Sequence, residues 1–108
     1  MYQMTVNESD WKKFRAKLPG WQNAYMQRLL DEYAELIARP GEPSDKFWAL
    51  EKRIWNDKKS VGVVARMSRS YMYPNLISLL GDEVITLDDL KDFSDDLREK
   101  LAFVNRDR

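Results

Sequence analysis

Apolar side chains recur every three or four residues along most of this chain, which is the spacing of one face of an α-helix. The first such helix is predicted to begin between Thr5 and Ser9, because Thr5 and Glu8 have the spacing of a capping box, with Asn7 and Ser9 as alternative caps. Its apolar stripe consists of Trp11, Phe14 and Leu18.

The longest apolar repeat runs from Trp21 to Ile37 and covers about half of the helix circumference. We therefore expect this segment to be the central core helix, ending near Arg39 because Pro40 disfavours a helical conformation at the residue before it. Pro19 separates this helix from the first, and the sequence allows either two helices or one helix with a kink.

Two further helices are predicted between Ser44 and Leu80. The third helix is capped by Ser44 and runs to about Asp57. Its core stripe is Phe47, Leu50 and Ile54. The fourth is expected from Ser60 to Leu80, with Gly81 as its stop and Pro74 as a kink or break. Its core stripe is Val63, Val64, Met67 and Tyr71.

The last helical region is capped by Thr86, and Ser94 marks a second cap, so that one helix or a short helix followed by a longer one would fit. Its stripe is Leu90, Phe93, Leu97, Leu101 and Val104. The chain is thus predicted to be an all-α, four- to five-helix bundle forming a single domain over residues 1–108. Residues 1–6 and 105–108 are expected to be flexible.

Charge changes this picture only locally, since 18 basic and 18 acidic residues leave no net charge. Residues 1–81 carry 13 Lys and Arg against 9 Asp and Glu, whereas residues 82–108 carry 5 against 9. Tight nonspecific binding of nucleic acid by the whole surface is not expected from such a balance.

The chain contains no cysteine and no histidine. The usual ligand sets for zinc, haem and iron-sulfur clusters are therefore missing, as are the commonest general base and thiol nucleophile. No Gly-rich phosphate loop and no nucleophile elbow occurs among the four glycines. We predict a protein that is not an enzyme and that binds no cofactor and no metal.

The location is predicted from what the sequence lacks. No stretch approaches the roughly 20 apolar residues that span a bilayer, and the first ten residues do not resemble a secretory leader. A cytoplasmic location without membrane attachment is expected, which agrees with the missing disulfides.

Exposed arginine and aromatic residues are the first candidate for a binding surface. On a regular fourth helix, Arg66, Arg69 and Tyr73 would lie on one side opposite the core stripe, as a ridge of residue types that anchor protein interfaces. Trp48 and Trp55, seven residues apart at the edge of the third helix stripe, are a second candidate if they are exposed. For both sets the sequence favours the simpler interpretation, a solvated face for the ridge and partly buried side chains without a function for the tryptophans.

The acidic stretch between residues 82 and 99 is another candidate. Its eight acids do not have calcium-loop spacing, and several suit helix N-termini. The sharper hypothesis is that they mimic nucleic-acid phosphates on a basic groove of a partner, with Asp92 and Asp96 as test positions. The basic side of the first helix would instead suit phosphates or an acidic partner. Its members are Lys12, Lys13, Arg15 and Lys17.

Four segments resemble an uncharacterised family of small bacterial and mobile-element helical proteins of about this length, sometimes labelled multidrug transporters. The matching segments are WKKFRAKLPGW at 11–21, SDKFWALEKRI at 44–54, DKKSVGVVARMSRS at 57–70 and ITLDDLKDFSDDLRE at 85–99. The transporter label implies nothing here, because no segment has membrane length. What the resemblance implies is context, since small proteins of mobile elements include inhibitors of host defence nucleases such as anti-CRISPR proteins.

The predicted function is accordingly a non-catalytic protein-binding module, in its narrower form an anti-CRISPR-like inhibitor of a host defence nuclease. Its partner would be a protein, including nucleic-acid-binding effectors. One alternative is a small DNA-binding regulator that presents a basic helix to phosphates. Another is a homodimeric structural or adaptor protein.

Overall fold

The computed structural model describes residues 6–106, which form four α-helices and one short 3-10 helix and contain no strand. This confirms the predicted all-α bundle. The elements are α1 (Glu8–Ala38), α2 (Pro43–Asp57), α3 (Arg69–Gly81), the 3-10 helix (Leu87–Leu90) and α4 (Asp95–Arg106).

A compact body holds nearly all of the buried apolar side chains. It is made by the first part of α1 together with α3, the 3-10 helix and α4. The fully enclosed side chains of its core are Phe14, Leu76, Leu79, Leu90 and Leu101. Rings stack through this core, because Trp21 lies 6.4 Å from both Phe14 and Phe93. The stripes predicted for the first and last helices are thereby confirmed as far as Leu101.

Helix α1 is a single helix of 31 residues that continues through Pro19. A proline inside a helix removes one backbone hydrogen bond and costs about 3 kcal/mol. Leu18 and Trp21 flank this position and both pack on the body core, so tertiary packing offsets the local penalty. The same argument applies to Pro74, which lies inside α3 between the buried Met72 and Leu76.

The rest of α1, from residue 22 onward, leaves the body and pairs with α2. We call residues 22–57 the arm. The arm makes the molecule elongated, with extents of 53 × 28 × 28 Å. Its helices are antiparallel, since Lys46 donates to the carbonyl of Ile37 near the tip and Arg53 bonds Glu32 nearer the body.

Two predictions about the arm are wrong. The segment from Trp21 to Ile37 is not the central core helix, because Leu29 is its only fully buried residue and Leu30 and Ile37 are exposed. The predicted core stripe of the third helix is also wrong, since Phe47 is 64% exposed and Ile54 is exposed as well. With only one helix to pack against, α2 has no fully buried residue.

The fourth predicted helix is shorter than expected. Residues 58–68 are turns and irregular chain, and the helix begins only at Arg69. The Ser60 hydroxyl accepts the Gly62 amide and donates to Asp82, a local alternative to helical hydrogen bonds. Consequently Val64, Met67 and Tyr71 are exposed and do not form a core stripe.

The caps of α1, the 3-10 helix and α4 are among those that the sequence offered, with the alternative Asn7 in place of the Thr5 and Glu8 capping box at α1. Asn7 accepts the Asp10 amide, Thr86 forms a capping box with Asp89, and Ser94 accepts the Leu97 amide at the start of α4. Ser44 is not the cap of the third helix. That helix begins at Pro43, whose fixed backbone angle suits a first helical position.

A buried carboxylate links the first helix of the body to the last. Asp10 in the first turn of α1 is only 2% exposed, and its oxygens accept the Ser94 amide at 2.8 Å and the Ser94 hydroxyl at 2.6 Å. Because Ser94 also caps α4, Asp10 holds the starts of α1 and α4 together.

The predicted flexible ends lie mostly outside the described residues. Of the three end residues that the structure describes, Val6 packs against the body core and residues 105–106 continue α4. Within residues 6–106, no helix is both long enough and apolar enough to cross a bilayer.

Candidate functional site

The outer side of α2 carries an exposed aromatic surface. Trp48 is 64% exposed and Trp55 is 55% exposed. They lie two helical turns apart on the side of α2 that points away from α1. A shallow depression between the two indoles is lined by Glu51 and Lys52. We call these four residues, Trp48, Glu51, Lys52 and Trp55, the tryptophan surface.

Neighbouring side chains hold both indoles in place. The Lys59 ammonium lies 3.8 Å from the centre of the Trp55 ring, close enough for a cation–π contact. The Phe47 ring meets Trp48 edge-on, with 5.0 Å between ring centres. Because these contacts order the rings before a partner arrives, binding would cost less side-chain entropy than it would for free side chains.

The tryptophan surface has the composition of a protein-binding hot spot. An indole combines a large apolar area with one hydrogen-bond donor, and tryptophan is enriched among residues that dominate interface energies. The adjoining Glu51 and Lys52 provide the polar rim that such centres usually have. The arrangement can bury two flat rings against a partner and orient it by charge.

A polar cleft of about 320 Å³ lies on another side of the arm, where the arm meets the body. Within it Arg53 bonds the Glu32 carboxylate at 2.6 Å and the Asp57 carboxylate at 3.4 Å. Arg28 donates to the backbone carbonyl of Glu83 at 2.6 Å. The Arg53 ion pairs join the two helices of the arm, and the Arg28 hydrogen bond joins the arm to the body.

Tyr33 extends this network at the arm seam. Its hydroxyl donates to Asp57 at 2.5 Å, and the Arg53 guanidinium stacks 5.3 Å from the ring centre. Burial, together with the hydrogen bond to the Asp57 carboxylate, raises the pKa of Tyr33 to about 12. The phenol therefore serves as a hydrogen-bond donor at neutral pH.

The structure separates the members of the predicted Arg66, Arg69 and Tyr73 ridge. Arg66 precedes α3 and stacks on the exposed Tyr71 ring, whereas Tyr73 packs against the body core. Arg69 forms a two-pronged ion pair with Glu8, and this hydrogen bond lowers the pKa of Glu8. No continuous ridge results, because the helix that would align these side chains does not include Arg66.

The two test positions of the acidic segment are both exposed and both engaged within the chain. Asp92 lies 3.7 Å from the Lys17 ammonium, and its backbone carbonyl accepts a hydrogen bond from Lys13. Asp96 pairs with Lys100 one turn along α4. The acidic segment thus meets part of the basic side of the first helix, so some of each predicted charged surface is neutralised by the other. Within residues 6–106, no group of three or more acids is arranged to hold a metal ion.

The sequence interpretation missed a second exposed apolar set on the arm. The side chains concerned are Met26, Leu30, Ile37, Phe47 and Ile54. Their helical spacing is the same as that of core residues, so periodicity alone does not distinguish them. The Pro40 to Pro43 connection was the available signal, because a short link forces the two helices into a hairpin and limits what else α2 can reach.

Comparison of the chain with protein-family models, with curated proteins and with solved structures finds no match.

Proposed function

We propose that this protein acts by binding another protein through the tryptophan surface of α2, and not by catalysing a reaction. The observation that carries the proposal is the exposure of Trp48 and Trp55 side by side on one helix. Leaving two indoles in water forgoes roughly 2 kcal/mol of burial for each, so their place on the surface is readily understood if a partner covers them.

The shape of the molecule supports this choice of surface. The tryptophans lie on the side of α2 opposite Lys46 and Arg53, which bond α1, and both indoles are more than half exposed. The other candidates are weaker, since Arg69, Asp92 and Asp96 are already paired within the chain. A partner would have to compete with those pairs before making its own contacts.

The proposal is tested by affinity capture with matched variants. Tagged wild-type protein, the double variant Trp48→Ala/Trp55→Ala and the control Phe103→Ala are each used on nuclease-treated cell lysate. Phe103 is a suitable control because it is an equally exposed aromatic on α4 of the body. We expect one stoichiometric protein to be retained by wild type and control and lost by the double variant. With the purified partner, each tryptophan replacement should weaken binding by about 30-fold, the size of a typical hot-spot effect.

Two results would contradict the proposal. One is equal capture of the protein by the double variant. The other is recovery of nucleic acid alone, lost on nuclease treatment, which would favour the DNA-binding regulator with the basic side of the first helix as its contact. The narrower hypothesis of an inhibitor of a host defence nuclease stays a prediction about which partner is captured. A cytoplasmic location belongs to the same proposal, and cell fractionation tests it.

A further inference from the structure

The arm has a second exposed surface, which is purely apolar and adjoins the tryptophan surface, since Glu51 and Trp55 line one depression together with Phe47 and Ile54. It consists of Met26, Leu30, Ile37, Phe47 and Ile54, which we call the apolar arm face. At 100° per residue, the three members on α1 fall within about 40° of one another and the two on α2 within about 20°. Each helix therefore presents a narrow apolar stripe along its length.

The cross-helix contacts align the two stripes. Lys46 reaches the carbonyl of Ile37, and Arg53 bonds Glu32, so successive turns of α2 lie beside earlier turns of α1. In this register Phe47 lies level with Ile37, and Ile54 lies level with Leu30. The stripes thus form cross-helix pairs, as in one layer of a helical bundle.

Both stripes lie on the same side of the arm. The ion pair between Arg53 and Glu32 marks the polar side, which continues into the cleft toward the body. On each helix the apolar stripe is on the other side of the helix–helix seam from these charged residues. The apolar arm face therefore lies on the side of the arm opposite the cleft, and each of its five side chains is at least 36% exposed within residues 6–106.

We propose that a second copy of this chain covers the apolar arm face, so that two arms pack into a four-helix bundle. A hairpin of two amphipathic helices is half of such a bundle, and a two-fold axis would bring identical apolar stripes together. This inference goes beyond the proposed function, because it names a second copy of this chain as a partner and rests on a face that extends onto α1, away from Trp48 and Trp55.

The exposed area matches what a stable dimer requires. Taking roughly 200 Å² for a fully exposed large side chain, the five side chains expose about 500 Å² per copy. Homodimer interfaces are about 65% apolar, so this corresponds to roughly 750 Å² of total surface per copy. Standard interfaces bury about 800 Å² per partner.

Charge does not oppose the association of two copies. The chain has no formal net charge, so long-range repulsion between identical molecules is absent. The residues that flank the α1 stripe on its outer edge are uncharged, namely Asn23, Gln27, Ala34 and Ala38. A second copy can therefore approach this α1 edge without burying an unpaired ion. The α2 edge carries one acid and one base, Glu51 and Lys58, beside Phe47 and Ile54.

Sedimentation equilibrium of the full chain from low to high micromolar concentration tests the inference. We expect the mass to rise to twice the 12.8 kDa of one chain. The variant Leu30→Glu/Ile54→Glu should dissociate more than about 100-fold more readily, because it places charges in the contact. Its far-ultraviolet circular dichroism should match that of wild type, which shows that the fold is retained.

Two controls separate this inference from its alternatives. Phe103→Glu adds a charge at an exposed aromatic of the body and should leave the dimer intact. Leu30→Glu, which lies on α1 and not on the tryptophan surface of α2, should dissociate the dimer while partner capture is kept, so loss of partner capture and loss of dimerisation are distinguishable. A mass of one chain at all concentrations, or a dimer unaffected by Leu30→Glu/Ile54→Glu, would overturn the inference. Binding of a monomeric chain to phosphatidylglycerol vesicles through these residues would assign the face to a lipid surface instead.

Discussion

The body and the arm are built from helices with the same apolar spacing, yet they use it in opposite ways. In the body Phe14 is completely enclosed, whereas in the arm Phe47, also part of a regular stripe, is mostly exposed. The body surrounds each stripe with several other elements, but the arm has only two helices. Regular apolar spacing therefore indicates a helix surface that can be buried. The number of elements that pack around the helix decides whether that surface is buried.

The largest expected effect compares one phenylalanine from each region. Phe14→Ala should lower the free energy of unfolding by about 3–5 kcal/mol, since it removes a fully buried ring and leaves a cavity. Phe47→Ala should change the free energy of unfolding of the isolated chain by less than about 1 kcal/mol, because most of the Phe47 ring is in water and few contacts with the rest of the chain are lost. Urea denaturation followed by circular dichroism measures both.

The Phe47→Ala measurement belongs at low micromolar concentration, where self-association contributes least. If its stability loss approached that of Phe14→Ala under those conditions, the ring would be part of a core and the division into body and arm would be wrong. A loss that grows with protein concentration would instead match burial between two copies.

A smaller effect is expected at the junction of the two regions. A methyl group at Gly62 would lie 2.5 Å from the Tyr25 ring and 2.7 Å from Val84, so Gly62→Ala should destabilise the chain by about 1–3 kcal/mol. Gly20 is the matched control, because it lies in α1 with open space around its Cα. There alanine should stabilise the helix by about 0.5–1 kcal/mol.

Thermal unfolding of both glycine variants checks that Gly62→Ala lowers the stability of the chain and that Gly20→Ala raises it. Tyr25→Ala in the Gly62→Ala background should recover part of the lost stability by making room for the methyl group. A Gly62→Ala protein as stable as wild type would mean that the arm shifts on the body without cost.

The smallest effect concerns alkaline pH and the arm alone. The fold raises the pKa of Tyr33 from 10.0 to about 12, by burial and by its bond to Asp57. Because the folded state favours the protonated phenol, its contribution to stability is fully present below pH 10 and is lost as the pH rises through about 12. Phenolate absorbance should show a titration phase near pH 12 from Tyr33.

Tyr33→Phe provides the assignment for that titration. The late phase should vanish in this variant, and the decline in stability between about pH 10 and 12 should become shallower. A late phase that persists would place the raised pKa on another of the five tyrosines.

Helix positions were more predictable than helix partners. The end of α1 before Pro40, the end of α2 at Asp57 and the caps Asn7, Thr86 and Ser94 follow from local backbone chemistry, which the sequence records directly. The irregular segment after α2 was not predictable, because it depends on the Ser60 bond to Asp82, 22 residues away.

The candidate site was predictable only in part. The spacing of Trp48 and Trp55 identified them as a pair. Their exposure arises because, among the described residues, α2 packs on α1 alone and has no fully buried residue. The predicted ridge of Arg66, Arg69 and Tyr73 does not form, because Arg66 lies outside α3. Its geometry presupposed a regular helix through a segment where side-chain bonds to the backbone compete with helix formation.

The hydrogen bonds between Asp10 and Ser94 have a consequence for how the chain folds during its synthesis. They join residues 84 positions apart, so the body core closes only after residue 94 has left the ribosome. The two helices of the arm are joined by bonds between residues 9 to 24 positions apart, and these contacts become available earlier. During synthesis the N-terminal stripe with Trp11 and Phe14 therefore waits for its final neighbours, and a nascent chain stalled before residue 94 would expose an unfinished core to chaperones and proteases.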